Sequence, residues 1–116
     1  MATITPLPGR KVRGSETGRP VMAVLELASR RWMLRVVWEL RNGPLKFRAL
    51  QAACGALSPT LLNSRLKELR DARLLELSIE GYQLTALGHG LYRAFEPISA
   101  WAEDWAKAIG NPPPET

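Results

Sequence analysis

At 116 residues the chain has room for one domain with a real core, and not for two. Its 46% hydrophobic and 23% charged residues are ordinary for a soluble globular protein, and no apolar run is long enough to span a membrane as a helix. The net charge of +5 and pI near 10.0 point to a polyanionic partner. The charge is also unevenly spread. Residues 1–75 hold 14 Lys/Arg against 5 Asp/Glu, whereas residues 76–116 hold 2 against 6, so one half is suited to phosphate and the other is not. One cysteine, Cys54, excludes an intrachain disulfide framework and fits a cytoplasmic protein. With a single histidine, His89, the chain lacks the ligands for a His/Cys zinc cluster, so no metal and no cofactor are expected. The N-terminal stretch has no apolar core of the kind a secretory signal needs.

Taken in chain order, residues 1–18 are rich in Pro, Gly and basic residues without a helical or strand period, and read as a flexible basic arm. The folded domain is expected over 19–109, with a disordered tail at 110–116. Pro20 to Ala28 makes a first helix with Val21, Val24, Leu25 and Ala28 on one face. Arg31 to Arg41 makes a second, burying Leu34, Val37, Trp38 and Trp32, and Asn42-Gly43-Pro44 closes it with a left-handed cap and a helix stop. One small strand fits Pro44-Leu45-Lys46. Phe47 to Cys54 is a short helix with Phe47, Leu50 and Cys54 toward the core. Ser58-Pro59 then opens a helix with a capping hydroxyl and proline at the first helical position. This helix carries Leu62, Leu66 and Leu69 on one stripe and ends near Arg73. Leu74 to Ile79 alternates as a strand, Glu80-Gly81 turns the chain, and Tyr82 to Thr85 returns. Thr85 caps a last long helix from Leu87 to Ile109, bent at Pro97.

The fold class is therefore mainly α with a small β-hairpin (α+β). Two short helices joined by a tight turn and followed by a hairpin describe a winged helix-turn-helix. Phe47–Cys54 is the positioning helix, Ser58–Arg73 the recognition helix, and Leu75–Thr85 the wing.

Several pieces, in their order and spacing, resemble the HxlR-type regulators, relatives of the MarR-type repressors. They are the helix around Arg31-Trp32, the Asn42-Gly43-Pro44 exit, Phe47-Arg48-Ala49-Leu50, Ser58-Pro59 leading into Leu66-Lys67-Glu68-Leu69, and Leu84-Thr85-Ala86-Leu87-Gly88. The resemblance covers about residues 19–105 and implies a dimeric bacterial or archaeal regulator that binds inverted repeats near promoters. Members that sense oxidants often carry a cysteine just before the Pro-Val of the first helix, where this chain has Arg19. Glu80-Gly81 stands where the family usually has a longer wing loop.

On the recognition helix, Thr60, Ser64, Lys67 and Asp71 fall opposite the leucine stripe, with Asn63 to one side. Short polar groups near the N-terminus of such a helix suit base edges in a major groove. Asn pairs with adenine, Thr offers a methyl to thymine, and Lys reaches guanine or phosphate. Ser58, Arg30, Arg31, Lys46 and Arg48 are expected to position double-stranded DNA through its phosphates. Arg65, nearer the buried stripe, either holds a phosphate or supports the fold. The wing tip, Ser78 to Gln83, has no Lys or Arg, which leaves at most Ser78, Tyr82 or Gln83 to touch the backbone.

The last helix lines up Leu91, Phe95, Ile98, Ala102, Trp105 and Ile109, with Ala94, Trp101 and Ala108 beside them. This apolar surface exceeds what one small domain covers. A homodimer through the terminal helices is expected, with Val21, Leu25, Phe95, Ile98, Trp101 and Trp105 at the interface; the competing arrangement packs both tryptophans inside their own subunit. There is no phosphate loop, nucleophile motif or acid–base pair, so the chain does not read as an enzyme. A winged-helix module that binds protein and has no DNA site is the other class that fits. Cys54, at the end of its helix and turned to the core, is expected to be an inert buried thiol. The signal is then either an unidentified small-molecule effector bound between the last helix and the DNA-binding lobe, or the abundance of the protein itself.

Overall fold

The computed structural model describes residues 4–110. Residues 1–3, at the start of the expected arm, and 111–116, nearly all of the expected tail, lie outside the described residues. Among the described residues, six helices and one hairpin follow in the order α1 (Pro20–Ala28), α2 (Met33–Glu39), α3 (Phe47–Ala53), α4 (Pro59–Asp71), β1 (Leu75–Ser78), β2 (Gly81–Leu84), α5 (Ala86–Phe95) and α6 (Pro97–Ala108). The strands pair antiparallel, Leu75 opposite Leu84 and Ser78 opposite Gly81, around a two-residue loop. The mainly helical, hairpin-bearing class read from the pattern is the one observed.

The core lies where α2, α3 and α4 meet under the hairpin. Met33, Val36, Val37 and Leu40 come from α2, Leu50 and Cys54 from the α3 segment, and Leu62, Leu66 and Leu69 from α4. Leu75 and Leu84 close it from the hairpin. Burying aliphatic side chains at roughly 1.5–3 kcal/mol each is the term that drives these short helices together, since helices of 7 residues would not persist alone.

Four local signals behaved as their chemistry dictates. Ser58 Oγ accepts the Leu61 N–H at 3.2 Å, and Thr85 Oγ1 accepts the Gly88 N–H at 3.2 Å, each satisfying an otherwise orphaned helix donor. Gly43 takes φ +141° at the exit of α2. Leu45 makes the expected small strand, a single bridge in which it exchanges both backbone hydrogen bonds with Tyr82 at 2.8 and 3.0 Å. That bridge explains Gly81, where a Cβ would stand 2.5 Å from the Leu45 carbonyl. At Gly88 a Cβ would meet the Leu74 carbonyl oxygen at 2.0 Å, so α5 can approach the hairpin only with glycine there.

Elsewhere the structure departs from the pattern. The second helix is shorter than expected, because Trp32 sits at φ +67° in a left-handed turn and α2 begins only at Met33. Its buried face is Met33, Val36, Val37 and Leu40, whereas Trp32 and Trp38 are exposed. Arg41 lies 3.4 Å from the Trp38 ring centroid and covers one face of that ring. The single bent helix expected at the end is two helices, with Pro97 at the first turn of α6. In α1 it is Ala23 and Leu27 that are buried, which leaves Val21 and Leu25 facing out.

The arm also differs from a detached flexible segment. Residues 4–18 hold no helix or named strand, yet they fold back on the domain. Gly9 N–H donates to the Gly18 carbonyl at 2.9 Å, and Val12 and Ser15 bridge each other. Thr5 is buried, and its hydroxyl donates to Asp71 of α4 at 2.9 Å.

Candidate nucleic-acid interface

The face of α4 opposite its leucines is open. Thr60, Asn63, Ser64 and Lys67 are all exposed on it, while Leu62, Leu66 and Leu69 anchor the helix beneath. A helix held by three buried leucines and capped by Ser58 presents its polar row from a fixed backbone, as reading base edges requires. Ser58 itself is exposed, but its hydroxyl is engaged as the helix cap.

Beside this row runs a polar cleft of about 480 Å³, lined by Asn63, Lys67, Arg70 and Asp71 from α4 and by Tyr82 from the wing. Arg70 was not picked out from the sequence. It lies seven residues after Asn63 and three after Lys67, so helical spacing alone would have placed it with them. Lys67 Nζ donates to Asp71 at 3.0 Å. The Lys67 ammonium first, and the Thr5 hydroxyl second, hold the Asp71 carboxyl below the usual carboxylate range. A phosphate approaching Lys67 must therefore compete with Asp71.

Lys46, Arg48 and Arg31 are exposed at the entry to α3 and in the turn before α2, with their charges toward solvent. Arg30 and Arg65 are placed differently. Arg30 Nη1 pairs with Glu68 at 2.6 Å while Nη2 donates to the Ile4 carbonyl at 3.0 Å. Arg65 pairs with the other oxygen of Glu68 and donates through Nε to the Arg31 carbonyl at 2.7 Å. Their side chains are only 15% and 14% exposed, so both guanidiniums are committed to the fold rather than offered to phosphate. Glu68, 5% exposed, is the residue that periodicity hid: beside Arg65 on α4 it reads as surface until Arg30, from beyond the end of α1, is seen to meet it.

The wing tip carries Ile79, which is 95% exposed, and Glu80. Ser78 Oγ donates to the Gly81 carbonyl at 2.9 Å and Gln83 donates to Glu76 at 2.9 Å, so of the three polar wing residues only Tyr82 faces the α4 cleft. On α6 no residue is buried. Trp101 and Trp105 stand 59% and 55% exposed, their rings stacked at 5.5 Å between centroids, and Ile98 is also exposed. Phe95 is half-buried. Cys54 is enclosed in the core; burial first, and the Glu39 carboxylate second, push its thiol up, with Arg35 opposing only in part.

The fold that carries this face is shared with known regulators. The model of the HxlR-like helix-turn-helix family matches residues 27–109. The chain belongs to that family. It is 34% identical over 89 residues to YvaP of Bacillus subtilis (strain 168), an HTH-type transcriptional regulator described as uncharacterised, covering 70% of this chain and 82% of that one. Among solved structures, the quinone-bound YodB of B. subtilis superposes with a TM-score of 0.69 at 28% identity, covering 72% of this chain and 96% of the other. A possible HxlR family transcriptional factor from Thermoplasma volcanium GSS1 gives 0.66 at 25% identity, covering 76% and 85%. This HxlR-family chain is thus a winged-helix, DNA-binding transcriptional regulator and not an enzyme. No helix among its described residues is long and apolar enough to cross a membrane.

Proposed function

We propose that this regulator binds a two-fold symmetric operator as a homodimer and reads it with Thr60, Asn63, Ser64 and Lys67. The observation that carries the reading is the open polar row on α4, fixed from beneath by buried leucines, in a lobe where Arg48, Lys46 and Arg31 are also exposed. Arg70 joins the positioning set because it shares the cleft with Asn63 and Lys67. The dimer interface is formed by α6, through Ile98, Trp101 and Trp105, together with Phe95 and with Val21 and Leu25 of α1. Two recognition helices would then lie about 34–36 Å apart, one turn of duplex. The protein acts in the cytoplasm, on DNA. An effector belongs to this reading. YodB is known in a quinone-bound form; here Cys54 is enclosed in the core, so the ligand is held without a covalent bond to that thiol.

The test is a footprint and competition titration on DNA upstream of the chain's own reading frame. Asn63→Ala is expected to reduce discrimination at one position per half-site, by roughly 1–3 kcal/mol. Arg48→Ala is expected to weaken all sequences alike and to lower the salt slope by about one unit. An unchanged ratio of specific to random binding in Asn63→Ala would move the reading face elsewhere. A chain that protects no DNA at all would favour a protein-binding module instead.

The wing is expected to add little. With no cation at its tip and Glu80 facing out, Glu80→Ala should change operator affinity by less than about tenfold, since one surface charge contributes roughly 0–1 kcal/mol. A larger loss, measured by gel shift, would place the tip against the duplex.

A further inference from the structure

Between α2 and the α5–α6 elbow lies a second cavity, away from the DNA face, of about 360 Å³. It opens beside Glu96, where α5 ends and α6 begins at Pro97. Its walls are apolar, chiefly Leu34 and Trp38 of α2 against Phe95 and Ile98. One end is polar: Tyr92 Oη donates to Glu96 Oε2 at 2.8 Å, and both residues line the cavity. Because Tyr92 occupies one oxygen of that carboxylate, the other is left as an acceptor. No lysine or arginine lines this space, although Arg41 lies over a face of the Trp38 ring.

We propose that this cavity is a binding site for a one- or two-ring aromatic molecule carrying a hydrogen-bond donor, such as a phenol or an aryl-substituted ammonium. The volume stands at the small end of the roughly 300–1,000 Å³ typical of ligand pockets, which limits the ligand to one or two rings. The Trp38 and Phe95 walls favour a flat apolar body. Glu96 favours a donor and repels a carboxylate at the same position.

A second copy of the chain is the other occupant to consider. At about 100° per residue, Ser99 and Ala102 turn toward the cavity; Trp101 lies about 100° from Ala102 and Trp105 about 60° from it, and neither tryptophan lines the space. The stacked tryptophans therefore border the cavity without lining it, and Ile98 forms the lip between the two surfaces. The site also joins two mechanical parts. Its α2 wall is tied to the helix-turn-helix, where Arg35 donates to the Ala53 carbonyl at the end of α3 at 3.0 Å. Its α6 wall carries the tryptophans. A ligand that spreads α2 from α6 changes the angle between the DNA-binding lobe and the dimer interface. This last consequence rests on the operator-binding dimer proposed above; the binding site does not.

The deciding experiment is calorimetry on the full chain without DNA, using 2-naphthol, 2-naphthylmethylammonium and 2-naphthoate. The first two are expected to bind once per chain, and naphthoate at least about tenfold more weakly. Ala102→Phe, which fills the cavity from α6, should abolish binding without altering the circular dichroism spectrum or the oligomeric state. Glu96→Gln should remove the preference of the ammonium over the carboxylate. Absence of saturable binding overturns the proposal. So does equal affinity for naphthoate, unchanged binding in Ala102→Phe, or a change of oligomeric state in that variant, which would assign the cavity to a second copy. A gel shift at saturating 2-naphthol should then show operator affinity lowered several-fold, and unchanged affinity would overturn the coupling.

Discussion

Glu68→Ala is expected to destabilise the fold by about 3–5 kcal/mol, the range for removing one partner of a buried ion pair. For a domain of this size that lowers the melting temperature by roughly 12–20 °C. The side chain of Glu68 is almost wholly covered and faces two guanidiniums, those of Arg30 and Arg65. Alanine leaves both cations close together, desolvated and without their counter-charge. Their remaining bonds, to the Ile4 and Arg31 carbonyls, are to neutral acceptors and do not replace it. The network also joins three parts of the chain, so hydrogen exchange in residues 4–18 and in the turn before α2 should quicken in the same variant. The opposite control is informative. Replacing Arg30, Arg65 and Glu68 together by apolar residues of similar volume is expected to be near neutral, because the desolvation of all three charges is removed with their attraction. A loss under about 1 kcal/mol in Glu68→Ala, by thermal or denaturant unfolding, would show that water reaches this cluster.

That cluster also marks where sequence reading stops. Most elements were legible because each rests on local chemistry: proline at the start of α1 and α4, serine and threonine caps, glycine at the exit of α2, and leucines three and four apart on α4. Apolar spacing correctly turned Leu50, Cys54, Leu62, Leu66 and Leu69 inward. What stayed hidden depends on partners distant in sequence. Glu68 and Arg65 look like an ordinary surface pair until Arg30, 38 residues away from Glu68, is brought over them by the packing of α1 and α2 against α4. Trp32 looked like a buried helical residue, but its left-handed φ is a property of the tight turn between α1 and α2, which no side-chain pattern announces. The arm has the composition of a disordered segment. Its attachment depends on Thr5 finding Asp71, a pairing 66 residues apart. In the candidate site the exposed row was legible for the same reason as the core, since one face of a helix fixes the other. Arg70 was missed only because it stands at the far end of that row.

The double substitution Trp101→Ala/Trp105→Ala is expected to convert the protein to a monomer and to lower operator affinity by at least about a hundredfold. Both rings are more than half exposed and stacked on each other, on a helix with no buried residue. An apolar surface of that kind, unpaid for by packing within its own subunit, is what a partner covers. Truncating a central interface tryptophan typically weakens association by about 2 kcal/mol or more, close to thirtyfold for each. A single winged helix then binds one half-site, near the roughly 10⁻⁴–10⁻⁶ M of nonspecific binding rather than the 10⁻⁸–10⁻¹¹ M of specific complexes. Stability separates this outcome from the one in which the tryptophans support their own subunit. In a dimer the melting temperature rises with protein concentration through mass action, and the double variant should lose that dependence while keeping its helical spectrum. If the variant instead melted at lower temperature by the same amount at every concentration, with light scattering unchanged from the parent, the tryptophans would belong to the subunit's own core, and the dimer would have to be sought on another face.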